Sequence, residues 1–189
     1  MLDLAFDSFS VHIDLSDQEK KVFSSLARVE HVDRKVQVLQ AGKVCKYEYF
    51  VLKGCLRSYY IDDDFIEHNT LFATEGWWTG NLKSFVRNVA SDFYLETLEQ
   101  SIVLKLSKEA VEDLYHQVPK FERYFRILLQ NRLLSTQDRI SNHLSSTAKE
   151  RYQKFVKTYP DLMQRVPLKH VASYLGMTPT YLSRLRARK

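Results

Sequence analysis

The chain has 189 residues, enough for one large domain or two small ones that each bury a core. Its 44% hydrophobic content, with only 5 Gly and 4 Pro, excludes low-complexity and linker-rich organisation, and no repeat at a fixed period is visible. The formal charge of +5 is unevenly placed: no acidic residue follows Asp161, six Lys and Arg do, and the first 161 residues sum to −1. That is the imbalance of a neutral body with a basic tail that meets a polyanion.

The N-terminus, MLDLAFDSFSVHIDLSD, carries acidic residues and no long apolar run, so it does not read as a secretory signal. No stretch approaches the roughly 20 apolar residues of a membrane span. The expectation is a soluble, cytoplasmic protein with no membrane partner. Ser16 and Glu19 form a capping box, and Val22, Phe23, Leu26 and Ala27 follow at helical spacing, which predicts a helix to about Arg28.

From Val32 the period changes. Val36, Val38 and Leu39 lead to a turn at Ala41-Gly42; the run Tyr47–Leu52 ends at Lys53-Gly54; Cys55–Ile61 closes on Asp62-Asp63-Asp64; Phe65–Phe72 comes next. Tyr94–Leu98 and Ser101–Leu106 alternate and complete the region. Short aromatic and β-branched runs between Gly and Asp turns predict an antiparallel barrel or sandwich of about eight strands. Cys45 and Cys55 lie within it, too few for a structural zinc or iron–sulfur site, and read as buried reduced thiols.

Ser107 caps a helix over about 108–116, and a longer helix starts at Pro119. Along it Phe121, Phe125, Leu129, Leu133, Thr136, Ile140 and Leu144 recur three or four apart. A narrow apolar seam of that length predicts pairing with a symmetry mate, with Phe121, Phe125, Leu129, Leu133, Thr136 and Ile140 as the seam. A further helix covers about 147–158 and stops before Pro160. The expected organisation is 1–118 as a β-domain with flanking helices, 119–145 as the long helix and 146–189 as a small helical domain.

Leu168–Ala187 reads LKHVASYLGMTPTYLSRLRA. Two tightly crossed helices need a small residue in the first and a turn residue between them, and Ala172 and Gly176 supply both. Val171 and Leu175 face inward from the first helix; Thr178-Pro179 opens the second, held inward by Leu182 and Leu185. This predicts a helix-turn-helix with Thr178, Thr180, Tyr181 and Arg184 at the start of the outward face, where a recognition helix reaches base edges. Arg184 can hold guanine O6 and N7 bidentately. Lys169, Arg186, Arg188 and Lys189 suit phosphates.

A β-roll, a long helix and a C-terminal helix-turn-helix in that order resemble the Crp/Fnr family of bacterial transcription regulators. Lys53-Gly54-Cys55-Leu56-Arg57 looks like the family's strand turn and Gly176–Leu185 like its recognition-helix motif; YFVLKGCLRSYY, EGWW and ASYLGMTPTYLSRLR look like a branch common in Bacteroidetes. The resemblance implies an α+β fold: an N-terminal antiparallel β-roll of the double-stranded β-helix, cyclic-nucleotide-binding-like kind, a long dimerisation helix and an all-α helix-turn-helix domain. It implies a homodimer that binds double-stranded DNA, works with RNA polymerase and answers to a small-molecule effector of unknown identity, with no enzymatic activity and no resident cofactor.

In the family a Gly-Glu pair, and an Arg about ten residues on, hold a cyclic phosphate. Here the matching positions are Gly80-Asn81-Leu82 and Ser91, followed by Asp92, so cyclic AMP is not expected to bind: a buried phosphate without a cation is costly. Trp77, Trp78, Gly80, Asn81, Leu82 and Arg87 are the expected effector-pocket residues. Fnr-type cluster sensing needs several cysteines, and this chain has 2. The family continues into a β-wing, whereas this sequence ends at Lys189, which leaves open a sensor acting through protein partners with weak DNA binding. Pro179 and Thr180 replace the family's Arg-Glu pair before Arg184, so a different operator is expected. A metal-dependent cupin enzyme, which would share the roll, needs converging His and carboxylate ligands, and only Glu67-His68 is near such a pattern.

Overall fold

The computed structural model describes residues 2–187. Two short helices come first, α1 (Asp3–Ser10) and α2 (Asp17–Leu26). The capping box at Ser16 is present, with Glu19 N–H donating to Ser16 Oγ and Ser16 N–H to Glu19. The second helix ends two residues earlier than its spacing suggests. Ala27 is extended, and Arg28 begins β1 (Arg28–Val32), whose five residues pair antiparallel with a later strand. Long-range pairing overrides local helical preference there.

Seven further strands follow among the described residues: β2 (Gln37–Leu39), β3 (Tyr47–Lys53), β4 (Leu56–Ile61), β5 (Glu67–Ala73), β6 (Trp78–Thr79), β7 (Tyr94–Thr97) and β8 (Ser101–Ser107). They form two four-stranded sheets, ordered β1-β8-β3-β6 and β2-β7-β4-β5. This is the antiparallel β-roll expected of the sequence. Gly54, between β3 and β4, has φ +104°, and a Cβ there would collide with the Ser101 side chain and backbone. Its N–H donates to Glu75 Oε1 at 2.8 Å, so the Lys-Gly turn closes only with glycine.

The helices α3 (Leu82–Arg87), α4 (Lys108–Gln117), α5 (Lys120–Ser145), α6 (Ala148–Thr158), α7 (Leu162–Arg165), α8 (Leu168–Tyr174) and α9 (Pro179–Ala187) complete the chain. An aromatic layer joins α1, α2 and the start of α5 to the first sheet. Phe9 meets Phe23, Phe121 and Tyr124 edge-on with centroids 4.8–5.1 Å apart, and Phe50 and Phe125 flank Trp78 at 5.2 Å. Trp78 Nε1 donates to Tyr124 Oη at 3.1 Å. Such pairs each add about 0.5–1.5 kcal/mol to the burial itself.

Packing divides the described residues into two compact units. One holds the residues up to Ser58 with Phe72–Leu129, the other Tyr59–Leu71 with the residues from Gln130 on. The division falls inside α5.

Candidate nucleic-acid interface

In the second unit, α8 buries His170, Val171 and Ala172. The turn after it is made by Gly176 at φ +65°, and Met177 N–H reaches back to the Ala172 carbonyl at 3.0 Å. The left-handed φ at Gly176 favours glycine, and a Cβ there would also press on the His143 ring, 3.1 Å from Cε1. Thr178 Oγ1 accepts from Tyr181 N–H at 3.2 Å and caps α9, with Pro179 in its first turn. Leu182 is fully buried and Leu185 half-buried, which fixes the rotation of α9 about its axis.

That rotation leaves Thr178, Thr180, Tyr181, Ser183, Arg184 and Arg186 exposed, with Lys169 exposed on α8. Arg188 lies outside the described residues. No carboxylate occurs anywhere after Asp161, so the face is positive and unneutralised by its own segment. The hydroxyls of Thr180 and Tyr181 lie in the first turn of α9 and the Arg184 guanidinium in its last, later along the helix than the sequence expectation put it; all are exposed and can donate to acceptors in a major groove.

Residues distant in sequence hold this pair of helices, and sequence reading missed them. Arg151 of α6 donates to the Leu175 carbonyl at 3.0 Å and to the Ser146 carbonyl at 2.7 Å. Arg139 of α5 lies 5.3 Å over the ring of Tyr174, whose hydroxyl is pushed up to about 12 by burial. Burial and then the guanidiniums of Arg151 and Arg139 hold the His143 imidazole below its ordinary 6.5. Only the basic character of these residues shows in the sequence, since the Leu175 carbonyl lies 24 positions from Arg151 and Tyr174 is further still from Arg139.

The residues expected to line an effector pocket are placed less uniformly. Trp78 belongs to the aromatic layer against Tyr124 and Phe125, and its indole N–H is engaged there. Trp77 is 43% exposed. Asn81 caps α3 by accepting from Ser84 N–H at 2.9 Å, Leu82 and Arg87 are exposed, and Gly80 faces the Glu48 carboxylate, whose oxygen would lie 2.7 Å from a Cβ at that position. Ser91 is buried and bonded to Phe93, and Asp92 pairs with Lys83 at 2.9 Å. The cassette positions are thus taken up by the Asn81 cap, the buried Ser91 hydroxyl and the Lys83–Asp92 ion pair, with the Glu48 carboxylate facing Gly80.

The expected seam is also divided. Phe121 is fully buried and so is core, while Phe125 is half-buried against the core of the first unit. Leu129, Leu133 and Ile140 are exposed by 44%, 59% and 55%, and Thr136 is exposed beside them. Both cysteines are buried and unbridged. His68, the centre of the only metal-like pattern in the sequence, bonds Asp62 at 2.6 Å, and among the described residues no three His, Cys, Asp or Glu side chains gather as metal ligands. Among the described residues no helix is long and apolar enough to cross a membrane.

A β-roll, a long helix and a helix-turn-helix in this order define a Crp/Fnr-type fold, and comparison with known proteins bears out the resemblance read from the sequence. No family model matches the chain. It is similar to the anaerobic regulatory protein of Pasteurella multocida, 23% identical over 98% of this chain and 72% of that protein. Among solved structures, FixK2 from Bradyrhizobium japonicum superposes with a TM-score of 0.73 at 18% identity, covering 86% of this chain and 83% of FixK2. A Crp/Fnr-family protein from Eubacterium rectale gives 0.69 at 16% identity over 91% and 82%. The curated relatives are regulatory proteins.

Proposed function

We propose that this protein is a homodimeric, DNA-binding transcription regulator of the Crp/Fnr type that reads palindromic DNA through α9. The observation that carries the reading is the outward face of that helix: Thr180, Tyr181 and Arg184 exposed, Leu182 buried behind them, and no acid in the segment. Arg184 is the base-reading residue, and Lys169 and Arg186 are phosphate contacts. Arg188 joins them by its charge in the sequence.

The exposed half of the seam, Leu129, Leu133, Thr136 and Ile140, supports pairing with a second copy. The carboxylates of Glu48 and Asp92 around the cassette positions support a roll that does not take cyclic AMP there. The effector, if one is used, is then of different chemistry, with Trp77, Gly80, Asn81, Leu82 and Arg87 as the residues to probe. The Crp/Fnr resemblance alone supports RNA polymerase as the partner and the cytoplasm as the location.

Selection from random duplexes tests the reading. The expected outcome is enrichment of a palindrome with half-sites about one helical turn, roughly 34 Å, apart. Binding that is sequence-independent and lost with salt would overturn it.

A further inference from the structure

β5 is the last strand of its sheet, so one side of its backbone has no neighbouring strand. Its first residues, Glu67–Leu71, belong to the same compact unit as α8. There Ser173 Oγ donates to the Glu67 carbonyl at 2.8 Å and accepts from Asn69 N–H at 3.0 Å. One hydroxyl thus serves a donor and an acceptor two residues apart, as an adjoining strand would. Arg139 donates to the Thr70 carbonyl at 2.9 Å, and His170 faces the Glu67 carboxylate at 3.9 Å.

The hairpin that offers this edge is stiff in its own right. Asp62 accepts from the N–H groups of Asp64 and Ile66 and bonds His68, and Tyr60 stacks on His68 with centroids 4.9 Å apart.

We propose that Ser173 is a positioning residue for DNA recognition, through which the β4–β5 hairpin holds α8, and with it α9, in the posture that meets a palindrome. The proposal rests on the DNA reading above. α8 and α9 move as one piece because the Gly176 turn is short and Ala172 and Leu182 are both fully buried. Restraining α8 therefore restrains the reading face. Ser173 itself lies in α8 and takes its partners from the hairpin, so it acts without being part of that face. A palindrome must be met by two such faces at once, and any freedom of either is an ordering cost at binding. A single half-site imposes no such demand.

The experiment compares the full-length wild type with Ser173→Ala and Ser173→Thr on the palindrome selected by the wild type and on a single half-site. Alanine raises helix propensity, so α8 is not weakened by that change. Loss of two hydrogen bonds should lower palindrome affinity about tenfold in Ser173→Ala. Half-site affinity and its salt slope should stay at the wild-type level, and Ser173→Thr, which keeps the hydroxyl, should restore the palindrome. Amide exchange at Asn69 should quicken in Ser173→Ala alone. An alanine variant that matches the wild type on the palindrome, or loses palindrome and half-site equally, would overturn this role and leave the DNA reading standing. A wild type that enriches no palindrome would sink the DNA reading and this role together.

Discussion

Single polar groups set both the chemistry and the local order of the second unit. Arg184 is exposed on α9 in a segment without acid, which keeps its donors available. Arg184→Ala should cost roughly 1–3 kcal/mol on the selected duplex and relax preference at one base position, read by anisotropy titration against single-base variants. Arg186→Ala should instead weaken all sequences alike and reduce the salt slope by about one. Thr147 shows the same economy in a structural role. It caps α6 with Glu150 in a reciprocal box, and bonds from the Thr147 N–H and hydroxyl hold the Glu150 carboxyl below its ordinary 4.5. Thr147→Ala should cost about 1 kcal/mol in thermal unfolding. Because the folded carboxyl is the stronger acid, its contribution is complete above pH 4.5 and fades as the pH falls through the lowered value. The difference between Thr147→Ala and wild type should therefore shrink in acid.

Among elements, the turn between α8 and α9 and the long helix α5 are the most exacting. Gly176→Ala combines a left-handed φ of +65° with a 3.1 Å approach to His143. It should destabilise the second unit by more than about 1 kcal/mol and lower DNA affinity while leaving the β-roll folded, as amide exchange would report. α5 changes role along its length. Its first turns carry Phe121 and Tyr124 into the aromatic layer, and its later turns expose Leu133 and Ile140. Leu133→Glu together with Ile140→Glu should halve the sedimenting mass with unchanged circular dichroism, since two carboxylates in a pairing seam repel their mates. A mass that stays at the wild-type value would move the interface elsewhere.

At the scale of the molecule, the two units draw on different sources of stability. The first is built on a layer of mostly edge-packed aromatic rings, where Phe121→Ala should cost about 3–5 kcal/mol in urea unfolding. Leu129→Ala, eight residues along the same helix and 44% exposed, should cost well under that as long as the chain is monomeric. The second unit has fewer buried rings and relies on capped helix ends and on arginines that bond carbonyls, as Arg151 does at Leu175. The hairpin Tyr59–Leu71 packs with this second unit although its strands begin and end in the first, which no reading of adjacent residues suggests.

The sequence by itself determined the order of the main elements, the capping box at Ser16, the Gly176 turn and the outward face of α9. Each of these rests on residues within a few positions of one another, where spacing and backbone chemistry are sufficient. The short pieces α1, β1, β6, α3 and α7 escaped it because so few residues carry no period. Tertiary structure alone decided that Trp78 joins the helix-packed aromatic layer, that Phe121 is core and not seam, and that Ser173 bonds Glu67 and Asn69 more than a hundred positions away. Burial and long-range pairing depend on what the fold brings opposite a side chain, and an amphipathic pattern shows a face without showing what covers it.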